Sequence, residues 1–312
     1  MTQEDRSVRT SRPEGIWGAV LLPVGEDGEI DFAALADEID FLCESRLAGI
    51  YTNGTAGEFF NQTEGEFDQV SEMVADRARR LGKPFQIGVS NSNPRLARER
   101  LRRVRALNPN AVQITLPDWW PPSAAEQARF VTGMQAEAAE TALVLYNPPH
   151  AKVQLDLSDI AVLRDEAPSL FGIKVKGGGK SWYAERRALL PDFSVFVAGH
   201  TVAFGRPLGA NGSYSNVACL SPDGAVRYWE LIETDLAAAK DLEARFAKLV
   251  DDHLMPLANS QGLSNAALDK LMAAAGGWGP IGPRLLWPHS GADRATVNSI
   301  GSAARRLLPE LF

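Results

Sequence analysis

The chain has 312 residues, enough for one large domain or for a barrel with a small appendage. Its 32 Lys and Arg stand against 39 Asp and Glu, a formal charge of -7 that argues against nucleic acid or an anionic membrane as partner. Two cysteines, Cys43 and Cys219, lie far apart without a paired spacing; neither a disulfide framework nor a zinc site is expected, and a reducing cytoplasm suits them.

Residues 1–14 are polar and charged without an apolar centre, and read as a loose arm rather than a signal peptide. From there short β-rich runs alternate with helical patterns. The runs are Ile16–Val24, Gly49–Asn53, Pro84–Val89, Ala111–Leu116, Ala142–Asn147, Phe171–Val175, Phe193–Ala198 and Gly212–Asn216. Helix signals fall between them. Thr63 with Glu66 forms a capping-box pattern before Phe67, Val70, Met73 and Val74, and Gly82 with Pro84 stops that helix. Asn93-Pro94 opens another, whose basic stretch from Arg95 to Arg105 reads as an amphipathic helix with a charged outer face. Segments 156–167 and 222–232 follow the same logic. Beyond about Asp235 the strand pattern ends, and 235–254, 264–275 and 293–308 are expected helices. No apolar run reaches membrane-spanning length.

Strands alternating with helices imply parallel pairing, because each crossover carries a helix. Eight such units predict a closed (β/α)8 TIM barrel over 15–234 with a helical extension over 235–312. An open doubly wound sheet is the competing architecture; it wants a glycine-rich dinucleotide turn after strand one, and Pro23–Gly28 does not supply it.

In such a barrel, chemistry gathers at the C-terminal strand ends. The run Phe171-Gly172-Ile173-Lys174-Val175-Lys176 is apolar apart from its lysines. Strand alternation puts Ile173 and Val175 on the helix side and points both lysines into the barrel, unless one, Lys176 sooner than Lys174, snorkels from the strand end to solvent. Burial there, and a second cation two residues away, favour a neutral amine able to attack a ketone. Tyr146 ends strand five on the inner face, where a phenol can relay protons or simply cap a loop. Gly54-Thr55-Ala56-Gly57-Glu58 can present backbone N–H groups to an anion, or serve only as a strand-to-helix turn. His200 falls at the end of strand seven. The four histidines are scattered without HxH or HExxH spacing, so a metal-dependent aldolase is not expected.

Three motifs carry a family resemblance. Gly54-Thr55-Ala56-Gly57-Glu58 resembles a GTTGE turn, Tyr146-Asn147-Pro148-Pro149 a YNxP motif, and Gly172-Ile173-Lys174 a GIK lysine motif. Together they resemble the dihydrodipicolinate synthase and N-acetylneuraminate lyase family of pyruvate-dependent aldolases, from about Gly15 to Ala218 and more weakly through the tail. The resemblance implies that Lys174 forms an imine with a 2-oxo acid, that Tyr146 shuttles protons with Thr55 as hydrogen-bonded partner, and that Thr55, Ala56 and Gly57 hold the substrate carboxylate. It implies no metal or organic cofactor, and a homotetramer or homodimer.

Departures point away from a true dihydrodipicolinate synthase. Ala56 lacks a hydroxyl, and Trp119 in Asp118-Trp119-Trp120-Pro121 stands where a relay tyrosine is usual; its indole N–H only donates. His150 and Ala151 replace an arginine, Lys176 a small residue, and Tyr214 a small aliphatic one. Lys176, His200 and Tyr214 are therefore candidate substrate contacts, the first two for a distal carboxylate or hydroxyl. Three activities stay open: a pyruvate-type aldolase, a dehydratase of a deoxy-oxo sugar acid through the same imine, suggested by Gly57-Glu58-Phe59-Phe60, and a non-catalytic 2-oxo-acid-binding paralogue. Trp119 and Trp120 are expected to plug an interface rather than line the site.

Overall fold

The computed structural model describes residues 13–312. Of the expected arm over 1–14, residues 1–12 lie outside the described residues. The eight expected strands all form: β1 (Gly15–Ala19), β2 (Gly49–Thr52), β3 (Phe85–Gly88), β4 (Ala111–Ile114), β5 (Leu143–Tyr146), β6 (Leu170–Lys174), β7 (Ser194–Val197) and β8 (Gly212–Tyr214). They pair in parallel in sequence order, and β8 closes on β1 with Trp17 opposite Tyr214. The structure is a closed (β/α)8 barrel, and the open-sheet alternative falls. Every residue of β2, β3 and β4 is buried, as strands walled on both faces require.

Helices α1 (Phe32–Glu44), α2 (Glu64–Arg80), α3 (Pro94–Arg105), α4 (Ala124–Ala138), α5 (Leu157–Glu166) and α6 (Lys180–Leu189) follow the first six strands. The capping signals act as read. Thr63 and Glu66 close a reciprocal box on α2, Asn93 accepts from the Arg95 N–H at the start of α3, and Asp156 caps α5. After β7 come α7 (Val202–Gly205) and, past β8, α8 (Asn216–Leu220) and α9 (Pro222–Thr234). The tail adds α10 (Leu236–Leu249), α11 (Met255–Gln261), α12 (Asn265–Gly276) and α13 (Arg294–Leu307). No helix among the described residues is long and apolar enough to cross a membrane.

Three readings need correction. The run Ile16–Val24 is not one strand: β1 stops at Ala19, Leu22 takes a left-handed φ of 54°, and Val24 bridges back to Ile30 in antiparallel fashion. The charged face of α3 is not wholly solvated. Arg100 is buried over the Phe67 ring, 4.3 Å from its centre, and pairs with Glu64 at 2.7 Å. Nor does the tail end its helix at Leu254: a wide π-type turn over Val250–Leu254 leads into α11, whose Pro256 sits in the first turn where its missing N–H costs nothing.

Candidate active site

Lys174 is the last residue of β6 and lies beside Tyr146, the last residue of β5. Ile173 packs outward with no exposure, and Lys174 turns into the barrel mouth. Its Nζ lies 4.2 Å from the Tyr146 ring centre, 5.0 Å from Tyr51 and 5.3 Å from Tyr214. Three aromatic faces around one ammonium offer π-density but little water. Burial lowers the lysine to about 8, against the pull of Asp269 and Cys219. Burial is the cause the sequence predicts; the added push expected from Lys176 is absent. Lys176 lies past the end of β6 and is exposed at the rim of the same cavity.

Burial raises the Tyr146 phenol to about 12, and a hydrogen bond to Thr55 offsets part of that rise. Thr55 heads the turn after β2, which is held in an unusual shape. Asn53 and Glu58 on either side both take left-handed backbone, φ 54° and φ 50°. Gln62 braces the loop, its Nε2 donating to the Asn53 side chain at 3.1 Å and to the Gly57 carbonyl at 2.8 Å. Within the turn the Gly57 N–H donates to the Gly54 carbonyl at 3.1 Å, so it is occupied. The Thr55 and Ala56 N–H groups make no internal bond among the described residues. Of the three N–H groups in the Thr55–Gly57 segment, the turn thus leaves those of Thr55 and Ala56 unbonded; Ala56, buried at 4%, offers only backbone, and Gly57 shapes the turn.

Two cavities meet at Tyr146. One runs past Thr55, Tyr146, Asn147 and His150. The other, about 290 Å³, is lined by Lys174, Lys176, His200, Tyr214, Asn265 and Asp269 among others. Tyr214 contributes its ring and not its hydroxyl, which donates to Gln86 Oε1 at 2.5 Å deep in the barrel. The His200 backbone N–H donates to Asn216 Oδ1 at 3.3 Å, which turns the Asn216 amide nitrogen onto His200 Nδ1 at 2.8 Å. Nδ1 must then accept, so the neutral ring carries its proton on Nε2.

Two groups escaped the sequence reading. Tyr51, on β2, is the third aromatic wall around Lys174. Asp269 arrives from α12, in the tail, and is only 8% exposed. Asn265, one helical turn earlier, donates to its Oδ2 at 3.1 Å. The adjacent Lys270 points elsewhere, fully buried, with Nζ bonded to Glu58 Oε1 and to the Arg284 carbonyl at 2.8 Å. The Leu286 N–H donates to the other Glu58 oxygen at 2.9 Å. The tail is thus bolted to the turn that carries Thr55. A signal existed: Asp269-Lys270 is a charged pair inside the otherwise apolar helix Ala266–Ala275.

The family model described as the dihydrodipicolinate synthetase family matches residues 12–270. The chain belongs to that family. It is a lyase of the class I aldolase type. Among its relatives is a protein of Methylobacterium radiotolerans named probable 5-dehydro-4-deoxyglucarate dehydratase, 26% identical over 88% of this chain and 90% of that one. The N-acetylneuraminate lyase of Citrobacter koseri is 27% identical over 76% of this chain and 80% of its own. In fold the chain is similar to YagE, a prophage protein of the dihydrodipicolinic acid synthase family from E. coli K12 solved in complex with pyruvate, with a TM-score of 0.83, 20% identity, and 97% and 100% of the two chains covered.

Proposed function

We propose that this chain is a Schiff-base-forming lyase that makes or breaks a carbon–carbon bond next to a pyruvate-type 2-oxo acid, and that it is not a dihydrodipicolinate synthase. The observation that carries this reading is the Lys174 amine, held among three phenol rings at a strand end, lowered to about 8, with the Tyr146–Thr55 pair beside it. The free amine attacks the 2-oxo carbon. Tyr146 passes a proton to the resulting hydroxyl, water leaves, and an iminium stands where the ketone stood. The iminium draws electrons from C3 and serves as the sink for the bond that breaks. No metal or organic cofactor enters this sequence of steps. The substrate carboxylate lies against the Thr55 hydroxyl and the Thr55 and Ala56 N–H groups. Lys176 and His200 line the other cavity, the one that holds Lys174, and suit a distal carboxylate or hydroxyl. We further infer a homotetramer or homodimer working in the cytoplasm.

Pyruvate with borohydride tests the central claim. Reduction is expected to leave a stable adduct on Lys174, located by peptide mass spectrometry. An adduct on Lys176 would move the nucleophile, and no adduct across a panel of 2-oxo acids would remove the imine.

The second reading, a dehydratase of a deoxy-oxo sugar acid, is favoured by the relative of that name spanning most of both chains. It uses the same iminium, which loses a proton from C3; the enamine so formed then expels the C4 hydroxyl as water, forming a C3–C4 double bond and restoring the iminium. Water loss with the carbon chain intact would distinguish it. A non-catalytic 2-oxo-acid-binding protein would trap the imine and turn over neither class.

A further inference from the structure

Asp269 sits where no strand-end residue does: it reaches over the barrel mouth from the C-terminal extension. Three features make it more than a helix surface residue. It is buried, it lines the cavity that holds Lys174, and only one of its oxygens is engaged, by Asn265. Among the described residues Oδ1 makes no hydrogen bond, and Asp269 forms no direct ion pair with Lys174. Oδ1 is not among the sealed, unpartnered atoms of the described residues, so on this buried residue it is the oxygen left open to the cavity.

The order of atoms in a 2-oxo acid then matters. With its carboxylate at the Thr55 turn and its second carbon bonded to Lys174, C3 is carried away from Thr55. Away from Thr55, across Tyr146, lies the larger cavity, which Asp269 and Lys174 line and Thr55 does not. We infer that Asp269 is a catalytic residue, the group that takes the proton from C3 of the substrate iminium and returns it. The inference rests on the imine reading above. In the forward step the C3–H bond breaks and the proton passes to the Asp269 carboxylate. The C–H electron pair forms the C2–C3 double bond, and the iminium π pair goes to nitrogen, leaving a neutral enamine. In reverse, the nitrogen lone pair re-forms the iminium as C3 takes that proton back, or as C3 bonds to an aldehyde carbon whose C=O pair moves to oxygen and takes a proton from Tyr146. Tyr146 keeps the protons of the 2-oxo oxygen, and Asp269 those of carbon. Burial raises the Asp269 carboxyl to about 7, against the pull of Lys174, which suits a group that must both accept and give near neutral pH. The Lys270–Glu58 pair holds the helix in register, so that Asn265 and Asp269, four residues apart, share the face toward the cavity.

The test follows pyruvate alone, so no acceptor need be known. In D2O, proton NMR reads exchange of the pyruvate methyl hydrogens, and borohydride reads the imine. Asp269→Asn is expected to trap the Lys174 adduct within about twofold of the wild type while exchange falls at least ~100-fold. Asp269→Glu should recover part of the exchange. Asp269→Ser serves as the second variant, should the amide fail to fold, and is read the same way. Exchange that survives in the folded Asn or Ser variant overturns the inference. So does a wild type that traps but does not exchange. Trapping and exchange lost in equal measure also overturns it, since Asp269 would then serve the lysine and not the carbon. A wild type that never traps pyruvate instead removes the imine reading with this substrate, and the inference falls with it.

Discussion

At the residue scale the reactive amine is the quantity to predict. A lysine at about 8 is neutral in roughly a tenth of molecules at pH 7, where an unshifted one would be neutral in far fewer than a hundredth. With the free base as nucleophile, the rate of Lys174 trapping by pyruvate and borohydride should climb through pH 6 and 7, reach half its maximum near pH 8 and level off about one pH unit above that. A rise continuing to pH 10 would mean that the lysine is not desolvated in solution. The rim residues make a separate prediction. Lys176→Ala and His200→Ala should leave pyruvate trapping unchanged, because a three-carbon acid does not reach them. Each should weaken binding of longer 2-oxo diacids or hydroxy acids, raising KM on the order of 10-fold. If both variants bind every 2-oxo acid normally, the distal contact lies elsewhere. Lys174 was legible because a charge in an apolar strand run has few structural uses. Tyr51 was not, since a strand aromatic reads as ordinary core. Asp269 was only half legible: the Asp269-Lys270 pair stands out in an apolar helix, but nothing local joins it to Lys174, 95 residues earlier in the chain.

At the element scale, the strands and most helices could be read because period-two burial, capping boxes and stop signals are local. The first strand was overread for the opposite reason. Its apolar run continues past Ala19 into Val20, Leu21 and Leu22, which stay buried although the strand has ended: Val20 N–H still donates to the Tyr51 carbonyl, Leu21 N–H turns to Glu38, and Leu22 takes left-handed backbone. The tail helices could be found one by one, but their docking could not. That docking depends on a pair from distant segments, Lys270 with Glu58, both fully buried. Removing one partner strands the other charge. Lys270→Met should cost about 3–5 kcal/mol, a Tm drop readable by calorimetry. It should also loosen α12, so that methyl exchange falls more than imine trapping. Glu58→Gln/Lys270→Met together should recover much of the stability, since no buried charge is left unpaired. Full stability in the single variant would mean that the tail is held mainly by its apolar face.

At the scale of the whole molecule, the barrel follows from counting eight alternating units, whereas the assembly depends on surface features with no local signature. Trp119 and Trp120 are 82% and 81% exposed, at the loop after β4, and neither lines the cavity of Lys174. Lys152 lies over one of them, its Nζ 5.5 Å from the Trp119 ring centre. Two adjacent indoles in water are a large apolar surface of the kind that proteins keep for an interface. The loop begins beside Asp118, which lines the cavity on the Thr55 and Tyr146 side, so a copy seated there would border the site. The expected homo-oligomer should therefore depend on these two residues. Trp119→Ala/Trp120→Ala is predicted to shift the sedimentation profile toward monomer while leaving the circular dichroism spectrum of the barrel unchanged. Imine trapping on Lys174 should persist in the monomer, because every group that forms the imine comes from one chain. A double variant that keeps the wild-type sedimentation coefficient would place the interface on another face, and loss of trapping on dissociation would mean that the neighbouring copy helps to build the lysine pocket.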